Sequence, residues 1–131
     1  MSLDITPAVS AGTQIIQAYG DGGFRIASES HTGSVIVFAD RTQALNAADA
    51  DALDGVTLAP VVEAASDIDI LVVGCGESFA APRQSVRDLL RPHGIVVEWM
   101  DTGAACRTFN VLMTEGRQAA AALIAVANET A

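Results

Sequence analysis

The sequence predicts one α/β domain, in which an antiparallel meander is followed by alternating parallel strands and helices. Residues 13–38 contain three β-favouring runs separated by glycine-containing turns, a pattern typical of antiparallel strands. Residues 68–114 alternate strand, helix, strand and helix, with connections short enough for a parallel pair joined by a crossover. A chain of 131 residues, 50% of them hydrophobic, has the size and composition to bury one core.

The first third of the chain favours β structure. Residues 13–19 lead into Gly20-Asp21-Gly22-Gly23, where glycines permit a tight reversal. Residues 24–26 then alternate apolar and polar side chains, as a half-buried return strand does. A second turn signal at residues 30–33 precedes a continuous β-branched and aromatic run at 34–38. We expect these runs to form the meander.

The middle of the chain carries a weaker pattern. Residues 44–53 are compatible with a helical turn, but their aspartates also suit a polar excursion. Residues 60–65 are expected to form a short helix, because Pro60 would stand in its first turn, where the missing N–H costs nothing.

The second half contains clearer elements. A buried strand is expected at 68–73, a helix at 82–91, a second strand at 95–99 and a helix from 101 to about 114. The last of these helices offers Phe109, Val111 and Leu112 for burial. Residues 117–126 remain ambiguous, because their alanines favour helix while the short length after Gly116 permits a strand.

The two predicted parallel strands, at 68–73 and 95–99, end at the same edge of the sheet. Loops that follow parallel strands emerge at a common edge, where ligands usually bind in open α/β sheets. The candidate site residues at this edge are Gly74, Cys75, Gly76, Asp101, Thr102, Cys106, Arg107 and Asn110.

Three of these residues, Asp101, Thr102 and Arg107, also have a structural explanation. Asp101 and Thr102 suit capping of the helix that they start. Arg107 and Asn110 lie three positions apart, hence on one helix face, where Arg107 would hold a carboxylate or phosphate or pair with a nearby glutamate, Glu115 or Glu77.

The two cysteines admit three interpretations. The place of Cys106 in the first turns of a helix, beside Arg107, is one that lowers a thiol pKa, whereas a buried and inert cysteine is the commoner case. A redox pair of Cys75 and Cys106 is the third. No histidine has a recognisable relation to Cys106, so we expect no catalytic residue.

Cofactor and metal sites are not expected. Gly74-x-Gly76 resembles the start of a dinucleotide fingerprint, but Phe79 occupies the third glycine position and is too bulky for close helix packing. With two cysteines and two scattered histidines, the chain offers no zinc set.

The charge excludes several classes of partner. The net charge of -9 comes from sixteen acids against seven arginines, with no lysine, and repels nucleic acid and anionic lipid. Arg83, Arg87 and Arg91 have helical spacing, which is typical of a solvated helix face. No apolar run is long enough to span a membrane, and residues 1–20 lack the basic start of a signal peptide. We therefore expect a cytoplasmic, bacterial protein.

Four stretches of the chain resemble a known family. They are the Tyr-Gly and Gly-Gly-Phe-Arg-Ile of residues 16–26, Thr-Gly-Ser-Val at 32–35, the strand and Val-Gly-Cys-Gly at 69–76, and Met-Asp-Thr-Gly-Ala-Ala-Cys-Arg-Thr-Phe-Asn-Val-Leu-Met-Thr-Glu-Gly-Arg within 97–117. The chain is similar to a domain-of-unknown-function family that includes a mitochondrial respiratory complex I assembly factor and the adipogenesis-associated Mth-type domain protein.

This resemblance implies a three-layer β/α fold with a mixed sheet and a closing C-terminal strand near residues 117–124. We expect the domain to span residues 12–127, between flexible tails at 1–11 and 128–131. We expect the chain to have no targeting extension like that of the mitochondrial members, and we therefore do not carry over a mitochondrial role.

Two functional hypotheses follow. The first is a non-enzymatic, assembly-factor-like module that binds a protein partner through the 74–79 loop and the 101–110 helix start. The second is a domain or enzyme that binds a small anionic ligand at the same edge. A homodimer, formed through an exposed strand edge or an apolar patch, is compatible with both hypotheses.

Overall fold

The computed structural model describes residues 12–127. Eight strands are present there: β1 (Ile16–Gly20), β2 (Gly23–Ile26), β3 (Glu29–Thr32), β4 (Val35–Val37), β5 (Thr42–Ala44), β6 (Ile70–Gly74), β7 (Val96–Met100) and β8 (Ala119–Leu123). The α-helices are α1 (Ala59–Glu63), α2 (Gln84–Leu90) and α3 (Thr102–Thr114). Short 3-10 turns occupy Ala50–Ala52, Ala65–Asp67 and Arg91–His93. The expected tails lie outside the described residues.

The meander is present, but its third strand is not the expected one. β1, β2 and β3 form a three-stranded antiparallel sheet, so residues 29–32 are a strand where a turn was expected. The turn falls instead at Ala27 and Ser28, both with positive φ, as a two-residue hairpin requires. No glycine or asparagine marks that turn, which is why the sequence pattern misplaces it.

The second sheet has five strands in the order β5-β4-β8-β6-β7. β6 pairs in parallel with both β7 and β8, while β4 pairs antiparallel with β8 and β5. The run at 34–38 therefore belongs to this sheet rather than to the meander. The mixed sheet, the crossover from β6 through α2 to β7, and the C-terminal strand are confirmed. β8 lies in the middle of the sheet, where every one of its residues is buried.

Two apolar layers cover the faces of the five-stranded sheet, which confirms the three-layer arrangement. One packs α1, α2 and the segment that carries Leu45 and Leu53 against the sheet. The other packs α3 and the three-stranded sheet, with Phe109 wholly buried at its centre. Val111 was expected to be available for burial and is 54% exposed, because it faces away from this layer.

Candidate functional site

The turns after β6 and β7 meet at one end of the sheet. Cys75 N–H donates to Met100 O (2.8 Å), and Thr102 N–H donates to Gly76 O (2.9 Å). Gly76 N–H donates in return to Thr102 Oγ1 (3.1 Å). We call this edge, formed by the 74–79 loop and the 101–110 helix start, the rim.

Gly74 permits the close approach of α3 to β6. A Cβ at this position would lie 2.9 Å from Thr102 Cα and 3.1 Å from Leu123 Cδ2, so a larger residue would displace backbone. The glycine at the end of β6 therefore has a packing role: it lets the first turn of α3 rest directly on the sheet.

Asp101 and Thr102 serve the architecture of the rim. The Asp101 carboxylate accepts from Ala104 N–H (2.9 Å) and caps α3. Thr102 is wholly buried, and its hydroxyl donates to Ile124 O (2.8 Å) while it accepts from Gly76. Thr102 thus joins the ends of β6 and β8 to the start of α3.

Asn110 is engaged by the domain itself. Its side-chain amide donates to Ile16 O and its carbonyl accepts from Ile16 N–H, both at 2.8 Å. These two hydrogen bonds fix the start of β1 against α3. A ligand or partner at the rim would have to compete with both bonds to use Asn110.

Arg107 is the exposed cation of the rim. The ion pairs found within residues 12–127 join Arg41, Arg83 and Arg91 to aspartates, and none of them joins Arg107 to Glu115. A Cβ built on Gly103 would lie 2.5 Å from Tyr19 Oη and 3.5 Å from Arg107 Nη1, which places the Tyr19 hydroxyl over the first turn of α3 beside the guanidinium.

Two rim residues were missed by sequence reasoning, Tyr19 and Phe79. Tyr19 reaches the rim from β1, and only the tertiary packing of the two sheets places it there. Phe79 does not fit the glycine motif suggested by Gly74 and Gly76, yet its side chain is 63% exposed at the end of the 74–79 loop. A large aromatic residue among small and polar loop residues was the available signal.

Two hydrogen bonds anchor the loop that carries Phe79, and both are made by the backbone of the next residue, Ala80. Trp99 Nε1 donates to Ala80 O (3.0 Å), and Ala80 N–H donates to the Cys75 sulfur (3.3 Å). The aromatic ring is therefore exposed on an anchored loop.

The cysteines do not form a reactive pair. Both are free and buried, and they lie in different apolar layers, on opposite faces of the five-stranded sheet. Burial raises the pKa of the Cys106 thiol to about 12, a change that the nearby Arg107 only partly offsets. The interpretation of Cys106 as a lowered-pKa thiol is therefore wrong, because desolvation outweighs the neighbouring positive charge.

The raised pKa predicts a specific dependence of stability on pH. The thiol titrates near 9.0 in the unfolded chain and near 12 in the folded one, so its contribution is complete below about pH 9 and is lost as the pH rises from 9 towards 12. Between about pH 8 and about pH 10.5, urea unfolding of the parent protein should lose more free energy than that of Cys106→Ala. Parallel losses in the two proteins would show that Cys106 titrates normally.

Residues 12–127 lack both a metal-binding cluster and a membrane-spanning helix. That part of the chain contains no group of three or more histidine, cysteine, aspartate or glutamate side chains placed to hold a metal ion. None of its helices is long and apolar enough to cross a membrane.

Comparison with known proteins identifies the family. A family model described as a protein of unknown function (DUF498/DUF598) matches residues 16–124. The chain belongs to this family. An uncharacterized protein of Rhodobacter capsulatus is 33% identical over 114 residues, which cover 87% of this chain and 86% of that protein.

A relative of this chain has a named role. The NADH dehydrogenase [ubiquinone] 1 alpha subcomplex assembly factor 3 of Danio rerio is 35% identical over 115 residues, covering 88% of this chain and 66% of the factor. The chain thus spans just under two thirds of the length of that relative. The expected resemblance to a complex I assembly factor family is confirmed.

Solved structures agree with the fold. A structure described as an outer membrane protein from Bartonella henselae has a TM-score of 0.81 and 37% identity, covering 88% of this chain and 97% of that one. A Mth938-like domain from Bordetella pertussis has a TM-score of 0.79 at 24% identity, covering 98% and 95%. The second similarity concerns the fold alone.

Proposed function

We propose that the domain is a non-enzymatic binding module that holds a protein partner at the rim, in the manner of an assembly factor. The observation that carries this proposal is the exposed Phe79 ring on an anchored loop, at the same edge as the exposed Arg107. Aromatic and arginine side chains dominate the binding energy of protein interfaces. An anchored loop also loses little conformational entropy when a partner binds.

The family relationship supports the same proposal. A relative that covers most of this domain is named for assembling a subcomplex, a task that requires protein contacts. The exposed Phe79 and Arg107 side chains at the rim are suited to such contacts.

We include in this proposal a bacterial, cytoplasmic location, which is consistent with two buried, free thiols. Fractionation of the source cells, with the protein recovered in the cytoplasmic fraction, checks the location.

Substitution at the rim tests the proposal. Phe79→Ala and Arg107→Gln are each expected to lower the affinity for the partner by about 2 kcal/mol, roughly thirtyfold. The partner would be captured from native lysate with tagged protein, identified by mass spectrometry, and its affinity then measured with purified components. Asn110 is left intact because its amide supports the fold.

The control is Val56→Ala, since Val56 is a large apolar side chain that is 83% exposed outside the rim. This variant should bind the partner as the parent does. All three variants should melt within a few degrees of the parent, because exposed substitutions rarely change stability by more than about 0.5 kcal/mol. A partner that binds both rim variants with parental affinity would refute the rim as its site.

The second candidate is a small anionic ligand at Arg107, favoured by the exposed guanidinium beside the start of α3, which has no ion-pair partner among residues 12–127. However, the N–H groups of Thr102 and Ala104 are already bound by Gly76 and Asp101. The helix start therefore offers an anion few free donors, and we rank this candidate second. Saturable thermal stabilisation by a metabolite, abolished in Arg107→Gln, would favour it over the protein partner.

A further inference from the structure

A second surface, formed by α2 and the start of β7, carries a concentration of positive charge. Three of the seven arginines of this acidic chain lie at the start, middle and end of α2, at positions 83, 87 and 91. Arg83 pairs with Asp51 (3.3 Å), and Arg91 lies 3.5 Å from the exposed Asp88. Among residues 12–127, Arg87 has no ion-pair partner, although it is partly buried.

The strand beside α2 is an edge of the five-stranded sheet. β7 pairs with β6 on one side and has no strand on the other within the described part of the chain. Val96 N–H donates to Asp69 O and Met100 O accepts from Cys75 N–H, so the backbone of residues 96, 98 and 100 faces β6. By the alternation of a parallel pair, the backbone N–H and C=O groups of Val97 and Trp99 face outward.

A groove connects the arginines to this edge. Its volume is about 220 Å³, and it is lined by Arg87, Arg91, Ile95, Val96 and Val97. The lining contains two cations, three apolar residues and no acid, in a chain whose net charge is -9. Val96 is 59% exposed on the strand face opposite to Val97.

From this arrangement we infer that β7 receives an extended acidic peptide of a partner protein, which adds a further strand to the sheet. Backbone groups of the peptide bond to Val97 and Trp99, as in strand addition to other exposed edges. Its carboxylates point towards α2 and bind Arg87 and Arg91.

The face of β7 that carries Val96 and Glu98 determines which side chains the peptide needs at every second position. Successive residues of a strand point to opposite faces, so every second side chain of the peptide lies beside Val96 and Glu98. Val96 favours an apolar side chain there, and the exposed Glu98 repels a carboxylate. The ligand is therefore a strand in which acidic and apolar residues alternate, rather than a uniformly acidic tail.

The probe for this inference is a synthetic peptide of about six residues, a usual strand length, in which glutamate and valine alternate. A fluorophore is attached at one end, and binding to the intact chain is followed by fluorescence anisotropy. The peptide should bind saturably at low salt and more weakly as salt is added. Arg87→Gln combined with Arg91→Gln should weaken binding about tenfold or more, whereas Arg25→Gln on β2 should leave it unchanged.

Two matched peptides separate charge from strand pairing. A peptide with glutamine in place of glutamate should lose most of the affinity, and a peptide N-methylated on its pairing edge should not bind. Amide hydrogen exchange locates the bound peptide on β7. The N–H groups of Val97 and Trp99 should exchange quickly in the free protein and slowly in the complex.

Three results would overturn the inference. One is the absence of saturable binding by the glutamate–valine peptide. Another is binding that survives the double arginine variant but disappears in Arg107→Gln, which would move the peptide to the rim. The third is a dimer in sedimentation experiments whose Val97 and Trp99 amides are already protected without peptide, since the edge would then be covered by a second copy. The first and third results do not bear on partner capture at the rim, whereas the second would identify the rim as the binding site of the peptide.

Discussion

Replacing Phe109 with alanine is expected to lower the free energy of unfolding by about 3–5 kcal/mol. Phe109 is wholly buried and is the largest of the fully buried side chains. Its ring lies in the layer that joins α3 and the three-stranded sheet to the five-stranded sheet. Truncation would leave a cavity between these elements, and for a domain of typical stability the loss is a large fraction of the total.

Urea unfolding followed by circular dichroism measures this effect, with Val111→Ala as the matched control. Val111 lies on the same helix but is 54% exposed, so its truncation should change stability by no more than about 0.5 kcal/mol. Equal losses for the two variants would mean that α3 does not pack on the sheet through Phe109. The protein that remains folded should bind the proposed partner as the parent does, because Phe109 is wholly buried and is not part of the rim surface.

The βαβα unit was predictable because its signals are local. The run of apolar residues before Gly74 marks a buried strand, Asp101 marks a helix start, and right-handed crossover geometry then brings their ends together. β3 was not predictable in the same way, because its turn uses alanine and serine at positive φ. Steric preferences would assign such a turn to glycine or asparagine.

The position of the rim could be predicted, but the roles of its residues could not. Asn110 bonds to Ile16, a residue 94 positions away, so its structural role depends on a contact that no local pattern reports. Tyr19 enters the rim from the other sheet for the same reason. The pKa of Cys106 depends on burial by distant segments, which outweighs the sequence neighbour Arg107. Sequence spacing therefore locates the edge, and tertiary contacts decide which side chains remain available at it.

Thr102→Val is expected to destabilise the domain by about 2–4 kcal/mol, because it removes one hydroxyl that serves two hydrogen bonds. Valine has nearly the shape of threonine, so the apolar packing is kept while Ile124 O loses its donor and Gly76 N–H loses its acceptor. Thr102 is wholly buried, which limits the access of water that could replace the hydroxyl. Thr114→Val is the control, since the Thr114 hydroxyl bonds to Val111 O at an exposed position of the same helix.

The effect of Thr102→Val should extend to the rim, and this distinguishes it from a general loss of stability. The Thr102 hydroxyl holds the loop after β6 against the start of α3, so its removal should speed amide exchange at Gly76 more than at Val72 in the centre of the sheet. Affinity for the proposed partner should fall as well, because the loop that presents Phe79 would no longer be fixed against α3. Thr102→Ser, which keeps the hydroxyl, should restore slow exchange at Gly76 even though it loses a buried methyl group. If valine and serine at position 102 gave the same exchange pattern, the two hydrogen bonds would not be what orders the rim.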